Sequence, residues 1–325
     1  MGAGKHFKQF QHIKHIMKKQ YKNVIVTGGS GFIGSHLIDE LVGISKKVIV
    51  IDKVKPPTNR KNRKAKYIKM NIQNPDIVEV FEKYQPDVTF HLAAHLHDRE
   101  SAEMPVENAM DNIIGLLNVC QGVRKVGKGK IVFTSSCAVY GFHKELPISE
   151  ANLPEPLTPY GITKLVGESY LKFYYKTCGI PYVAFRPGNI YGPRQDSSAE
   201  SGVIGVFSSR LLKGQPAIIN NDGETTRDYI YVSDVVSALI KAAGSEFIGS
   251  LNLGTGIETS TNEIFEIVKN AVGGAAVPDK NELQQDAMKY VSLDASKTRE
   301  VLDWEPVVSI EDGIKETVDW YRENI

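Results

Sequence analysis

An α/β fold built on a doubly wound parallel sheet is predicted by three features of this 325-residue chain. An apolar strand, Val24-Ile25-Val26-Thr27, runs into glycines spaced G-x-x-G-x-x-G at Gly28, Gly31 and Gly34, then into helical sequence. A second apolar run, Lys47-Val48-Ile49-Val50-Ile51, ends in Asp52. Further on, short β-rich runs at 65–70, 87–92, 130–135 and 182–186 alternate with helical stretches. Strands alternating with helices imply right-handed crossovers and hence parallel pairing.

The glycine turn is the first element to justify, because it builds a site as well as a bend. Gly28 allows a tight strand-to-helix turn, Gly31 lets a pyrophosphate approach the backbone, and Gly34 lets the helix pack on the sheet. Free N–H groups at that helix start then face the phosphates. Asp52 closes the second strand 18 residues beyond Gly34, near the spacing at which a carboxylate accepts hydrogen bonds from an adenosine ribose. It would repel a 2′-phosphate, so the predicted dinucleotide is NAD. Residues 53–69 carry eight Lys/Arg and no acid, a run able to hold a 2′-phosphate; its Pro56-Pro57-Thr58-Asn59 turn reads instead as a solvated loop.

Composition bounds the rest. With 42% hydrophobic residues the chain can bury a large core, and 39 Lys+Arg against 38 Asp+Glu offers no global case for a nucleic-acid partner. Cys120, Cys137 and Cys178 are odd in number and widely spread, with no C-x-x-C pair, so neither a disulfide framework nor a zinc site is expected. A reducing cytoplasm fits. No apolar run approaches the length of a membrane span, and no signal-peptide pattern precedes the first strand. Residues 1–21 form a basic extension in which Phe7, Phe10, Ile13, Ile16 and Met17 recur at helical spacing. That pattern suits a helix on an anionic membrane or a partner, and equally a frayed tail or a helix packed on its own domain. The expected organisation is then a dinucleotide domain over 22–186 and a smaller C-terminal α/β substrate lobe over 187–325, where sequence loosens around helices at 262–272 and 310–321. The chain is expected to cross between the two, which makes 186 an approximate boundary.

Tyr160-Gly161-Ile162-Thr163-Lys164 sets a phenol and an ammonium at i and i+4, on one face if helical. An adjacent cation favours phenolate. Lowering a tyrosine from about 10 to about 7 takes roughly 4 kcal/mol of differential stabilisation, and the product is a general base at neutral pH. Ser135-Ser136 lie about 25 residues earlier at the carboxyl end of a strand, the side where ligands of such sheets bind.

With these residues on view, the chain resembles the extended short-chain dehydrogenase/reductase family, with its Rossmann-type domain, and within it nucleotide-sugar epimerases of the UDP-glucose 4-epimerase type. The resemblance spans 22–322 and rests on Thr27 to Gly34, Asp52, His91-Leu92-Ala93-Ala94, Ser135 to Gly141, Tyr160 with Lys164, Arg186 to Arg194, Arg227 to Asp234, and Asp294-Ala295-Ser296-Lys297. It implies Ser136, Tyr160 and Lys164 as the catalytic hydroxyl, base and lysine. Gly28, Gly31, Phe32, Ile33, Gly34, Asp52, Ala93, Tyr160 and Lys164 are implied at the NAD. For the nucleotide sugar it implies Ser136, Asn189, Val203, Phe207 and Arg227, with Ile204 nearby and Val291 beside the sugar's C2 substituent. It also implies a homodimer through helices near 104–122 and 160–177.

Two departures bear on the substrate. Dehydratases and decarboxylases of this family carry an acid just before Val-Tyr-Gly, whereas this chain has Cys137-Ala138, with Cys137 read as a packing residue. Oxidation at C4 and return of the hydride to the other face is the chemistry left, giving a 4-epimerase of UDP-hexose or UDP-N-acetylhexosamine. The family's phosphate arginine near 284 is Gln284 here, with Lys289 as the nearest cation, and His97 or Arg99 is a candidate for contact with a substrate carboxylate. The clustered His91, His95, His97 and Asp98 are not expected to bind metal. Rival readings are a UDP-hexuronate epimerase, a nucleotide-sugar dehydrogenase or reductase and, outside enzymes, an NAD-binding redox sensor.

Overall fold

The structure is a computed structural model that describes residues 21–95, 98–197, 202–282 and 289–325. The basic extension 1–20 therefore lies outside the described residues, as do Leu96, His97 and Gln284 and the side chain of Arg99.

Seven parallel strands form the main sheet: β1 (Tyr21–Thr27), β2 (Ser45–Asp52), β3 (Lys66–Lys69), β4 (Val88–His91), β5 (Lys130–Thr134), β6 (Tyr182–Pro187) and a strand from far along the chain, Gly249–Leu253. Helices α1 (Phe32–Ile44), α2 (Ile77–Tyr84), α3 (Asp98–Glu103), α4 (Pro105–Ala109), α5 (Gly115–Val126) and α6 (Pro159–Cys178) connect them. Alternate strand residues bury on opposite faces. Val24, Val26, Val48, Val50 and Phe90 pack with Leu37, Ile38 and Leu41 of α1, while Ile25, Ile49, Ile51, Ile131 and Phe133 pack with Phe81, Leu116, Val119 and Leu171 of α2, α5 and α6. Such two-sided burial is why these strands read as continuous apolar runs rather than alternating ones. The order outward from β3 is β3-β2-β1-β4-β5-β6, so the chain reverses direction across the sheet between β1 and β4. That crevice, beyond the strands' carboxyl ends, is where ligands of doubly wound sheets bind.

After β6 the chain leaves for the smaller lobe through β7 (Asn189–Tyr191), α7 (Val203–Leu212), β8 (Ile218–Asn220) and β9 (Thr226–Tyr231). It then returns. Helix α8 (Val232–Gly244) covers the main sheet through Val235, Val236 and Leu239, and β10, the strand Gly249–Leu253 already placed, pairs beside β6. The chain crosses over once more into β11 (Glu258–Ser260), α9 (Thr261–Val272) and β12 (Asp279–Asn281), and ends with α10 (Ser296–Leu302) and α11 (Ile310–Asn324). The strand orders β11-β9-β7 and β12-β8 describe the lobe's two small sheets. Around them Phe207, Ile264, Phe265, Val268, Ile314 and Val318 of α7, α9 and α11 form a separate core.

Local signals account for the helix starts. Thr158 caps α6, its hydroxyl accepting the Gly161 N–H at 3.1 Å, and Pro159 fills the first turn, where no intrahelical donor is needed. Ser260 and Glu263 form a reciprocal capping box on α9. Among the described residues no helix is long and apolar enough to cross a membrane.

Asp228 joins the lobe to the main sheet. Fully buried in β9, it accepts the Thr255 N–H and hydroxyl at 2.8 and 2.7 Å, the Gly256 N–H at 2.9 Å and the Leu293 N–H at 3.1 Å. An amide here would lose charge-assisted bonds and turn an NH2 toward donors. Asp228→Asn is expected to cost about 2–4 kcal/mol in urea unfolding; an unchanged midpoint and slope would show that the clasp does not hold the lobe.

Candidate active site

At the β1/β4 reversal the backbone comes together closely. Gly28 has φ of +72°, and a Cβ there would sit 2.5 Å from the Ala93 nitrogen, so no side chain fits. Beside this contact opens a cleft of about 460 Å³ bordered by Gly28, Gly31, Asp52, Asn71, Ala93 and Asp111. Its size and Gly-lined floor suit the adenosine half of a dinucleotide. Asp52 stands at its rim, Oδ2 accepting the Ser30 N–H and Oδ1 the Val54 N–H, each at 3.0 Å. A carboxylate offers about four lone-pair sites, so this fixed Asp52 keeps acceptor capacity for ribose hydroxyls. Phe32 and Ile33 start α1 at the same turn, half-buried, Ile33 packed on the main core and Phe32 on that of the lobe.

The basic run 53–69 is not purely solvated. Lys53 reaches Asp111 at 3.2 Å on the adenosine cleft, and Lys55, Lys61 and Lys69 border a second cavity of about 310 Å³ that shares Asp52 as a wall.

The groups implied for chemistry lie after β5, the strand beside β4, and at the start of α6. Ser136 follows β5 and caps a short 3-10 turn, its Oγ accepting the Ala138 N–H at 3.1 Å. That turn meets the start of α6 backbone to backbone, since a Cβ on Gly161 would fall 2.5 Å from the Ala138 carbonyl oxygen. The contact brings the Ser136 turn against Tyr160, whose N–H donates to buried Ser101 Oγ at 3.1 Å. One turn on, Lys164 is buried, with Nζ donating to the Thr134 carbonyl at 2.8 Å and lying 4.9 Å from the Phe133 ring centre and 5.5 Å from that of Tyr160. Burial pushes the ammonium down to about 7, opposed by the charge of Glu168. His91 is driven down to about 3 by burial and then by Lys164, so it is neutral, sharing a 2.7 Å hydrogen bond with the Thr27 hydroxyl. Among the described residues no cluster suited to a metal ion occurs.

Of the residues expected at the substrate, Asn189, Val203, Phe207 and Arg227 fall in the lobe. Asn189 of β7 pairs with Tyr229, two positions from Arg227 on the neighbouring β9. Arg227 is half-buried, one guanidinium nitrogen donating to its neighbour Thr226's carbonyl at 2.8 Å. The Lys289 carbonyl accepts the Thr226 N–H, while its ammonium lies 3.7 Å from Asp222. Val203 opens α7 half-exposed and Ile204 is buried beside it; Phe207 lies in the lobe core, its ring 6.0 Å from Phe265.

Sequence reasoning passed over the polar groups that brace this site. Asn112, on a single π turn (Met110–Ile114) between α4 and α5, accepts the His95 N–H at 2.7 Å and donates to the Thr163 hydroxyl at 3.0 Å. Behind Lys164, Glu168 and Arg186 form a buried ion pair at 2.6 Å. The i, i+4 spacing of Lys164 and Glu168 was a visible signal; Arg186 arrives from another strand.

This crevice, with its glycine turn, the Asp52 carboxylate and the Tyr-Lys pair, defines a dinucleotide-dependent enzyme of the short-chain dehydrogenase/reductase kind. More particularly, the chain belongs to the NAD dependent epimerase/dehydratase family, whose model matches residues 24–254. It is 36% identical over 306 residues to the UDP-glucose 4-epimerase of Mycolicibacterium smegmatis, covering 92% of this chain and 98% of that protein. The Thermotoga maritima UDP-glucose 4-epimerase, solved with UDP-glucose, superposes with a TM-score of 0.89 at 37% identity, covering 93% of this chain and 99% of that one. The Methanobrevibacter ruminantium UDP-N-acetylglucosamine 4-epimerase, solved with UDP-N-acetylmuramic acid, gives 0.90 at 32% identity, covering 95% and 100%.

The Asp52 carboxylate stands at the cleft with Lys55, Lys61 and Lys69 behind it. Asp52→Ala is expected to weaken NAD and raise relative affinity for NADP, read by titration of both cofactors. A wild type that binds NADP more tightly than NAD would contradict this role.

Proposed function

We propose that this chain is an NAD-dependent nucleotide-sugar 4-epimerase acting on UDP-hexoses or UDP-N-acetylhexosamines. The observation that supports the reading is that the Ser136 turn packs against the start of the helix bearing Tyr160 and Lys164, in a chain similar over 92–93% of its length to UDP-glucose 4-epimerases. Bound NAD supplies a hydride acceptor for C4 that also serves as donor. Tyr160 takes the O4 proton and later returns it. The Lys164 ammonium beside the ring favours the phenolate, and the Ser136 hydroxyl supports O4 by hydrogen bonding. Arg227 and Asn189 hold the diphosphate while the sugar turns over, a guanidinium being suited to phosphate oxygens. Cys137-Ala138 offers no acid for elimination or decarboxylation, so hydride return completes the cycle.

A panel of UDP-sugars followed by NMR tests the function. Wild type should interconvert gluco and galacto epimers without net NADH absorbance change, and Tyr160→Phe should lose at least about 10²-fold in turnover while still binding substrate. Stoichiometric NADH consumption would make it a reductase, and binding without conversion a sensor. Near-normal turnover in Tyr160→Phe would remove the base.

For sugar size we assign the gate to Val291. Two neighbours face opposite ways: Val291 is buried, while Tyr290 is 44% exposed with the Lys289 ammonium 5.4 Å from its ring centre. A valine leaves room for an N-acetyl group, so UDP-N-acetylglucosamine should be a substrate and Val291→Tyr should suppress it selectively. An equal effect on UDP-glucose, or none on either, would dismiss the gate.

The proposed assembly is a homodimer through 104–122 and 160–177. Support comes from side chains left outward on those helices: Met110, Ile114, Ile162 and Phe173 are all exposed, Phe173 by 53%. Sedimentation should give a dimer that Phe173→Asp converts to monomer; a monomeric wild type would refute it. We also place the protein in the cytoplasm, which the free thiols of Cys120, Cys137 and Cys178 suit.

A further inference from the structure

Behind the proposed catalytic groups lies a buried polar network. Glu168, on α6 one turn beyond Lys164, accepts four hydrogen bonds: Ser135 Oγ at 2.6 Å and Arg186 Nε at 3.0 Å on Oε1, Ser250 Oγ at 2.7 Å and Arg186 Nη2 at 2.6 Å on Oε2. Arg186 continues to the Tyr140 hydroxyl at 3.0 Å, which donates to Asn252 Oδ1 at 2.6 Å. Glu168 is 6% exposed and Arg186 also 6%. Burial works against the Arg186 cation, but the hydrogen bonds and charge of Glu168 outweigh it and hold the guanidinium above its ordinary range.

Two of the tied elements, the end of β5 and helix α6, are those that carry the chemistry. Thr134 and Ser135 are adjacent: the carbonyl of the first holds the Lys164 ammonium, and the hydroxyl of the second holds Glu168. The residue after Ser135 is Ser136. So Lys164 and Glu168 are fastened side by side to the end of one strand and to one helix. The charged or titratable groups around the Lys164 ammonium are Tyr160 and Glu168 on its own helix, His91 on β4, neutral, and Arg186 on β6, already neutralised by its bonds to Glu168. Glu168 is therefore the carboxylate that acts on Lys164, through a medium where charges are poorly screened.

We propose that Glu168 is a positioning residue for the epimerase reaction: pinned by Arg186, its carboxylate keeps the Lys164 ammonium charged beside Tyr160 and anchors the strand end that presents Ser136. The proposal rests on the roles given above to Tyr160 and Lys164. A bare ion pair has a different use, since two buried partners can be exchanged for apolar groups at little cost in stability. Losing the Glu168 charge leaves burial unopposed, so Lys164 gives up its proton at lower pH, and the alkaline fall of turnover moves to lower pH with it.

The test compares Glu168→Gln with Glu168→Gln/Arg186→Met, both as NAD-loaded enzyme. The double variant removes the buried guanidinium that the single one leaves unpaired, at a cost to stability. NMR of 13C-labelled lysine, with the Lys164 signal assigned by its loss in Lys164→Met, is expected to show a titration midpoint at least about one unit lower in both variants, a tenfold smaller ammonium-to-amine ratio. Turnover should fall at least about tenfold with the KM for UDP-sugar nearly unchanged, and Glu168→Asp should restore part of it. A double variant with wild-type turnover and an unmoved Lys164 midpoint would make the pair purely structural and overturn the proposal. The NMR midpoint needs no turnover, so full activity in Tyr160→Phe would sink the catalytic reading without being mistaken for failure at Glu168.

Discussion

The site depends on one constraint: the ends of β1 and β4 must approach until backbone touches backbone. Gly28 meets Ala93 with no room for a Cβ, and this contact sets both the floor of the cofactor cleft and the direction in which α1 leaves the sheet. Because the strand order reverses at that place, the helices after β1 and β4 depart to opposite faces and leave a crevice between them. Asp52 at the end of β2 and Ser136 just beyond β5 then stand on either side of the contact, where the proposed function puts the adenosine and the reacting sugar.

Charge is arranged along that crevice with little left unpaired. Asp52 is held by two backbone donors, Asp111 by Lys53 and Gln73, and Glu168 by four donors, so each carboxylate is oriented before any ligand arrives. Preorganisation of this kind is what makes a buried charge useful, since no group has to reorient as the reaction proceeds. Lys164 is the contrasting case, a cation taken out of water with one backbone carbonyl and two aromatic faces as its near neighbours. Its charge state is correspondingly sensitive to the carboxylate one helical turn away.

The parts of the site written in local sequence were legible from it: the glycine turn, the strand ending in Asp52, and Tyr160 with Lys164 on one helical face. Strands β1, β2, β4, β5 and β6 were equally readable, because burial on both faces makes them predominantly apolar, while the short edge strand β3 keeps two exposed lysines around Tyr67 and Ile68. What sequence did not reveal depends on contacts between distant segments. Strand β10, Gly249–Leu253, carries Ser250 and Asn252, polar residues that mask it as a loop until Glu168 and Tyr140 are seen to take up their hydrogen bonds. The clasp of Asp228 on 255, 256 and 293 and the pairing of Glu168 with Arg186 are invisible for the same reason. The basic run after Asp52 was only partly understood, since its turn chemistry is local but the cavity shared by Lys55, Lys61 and Lys69 requires β3 to be in place.

The central claim is that the hydride removed from C4 returns to the same sugar within one closed site. Supplying UDP-glucose deuterated at C4 to the NAD-loaded enzyme, in the presence of unlabelled free NADH, tests it most directly. The account predicts UDP-galactose that keeps the deuterium at C4, with none in water or in the free cofactor pool. Deuterium lost to solvent or exchanged into free NADH would contradict it.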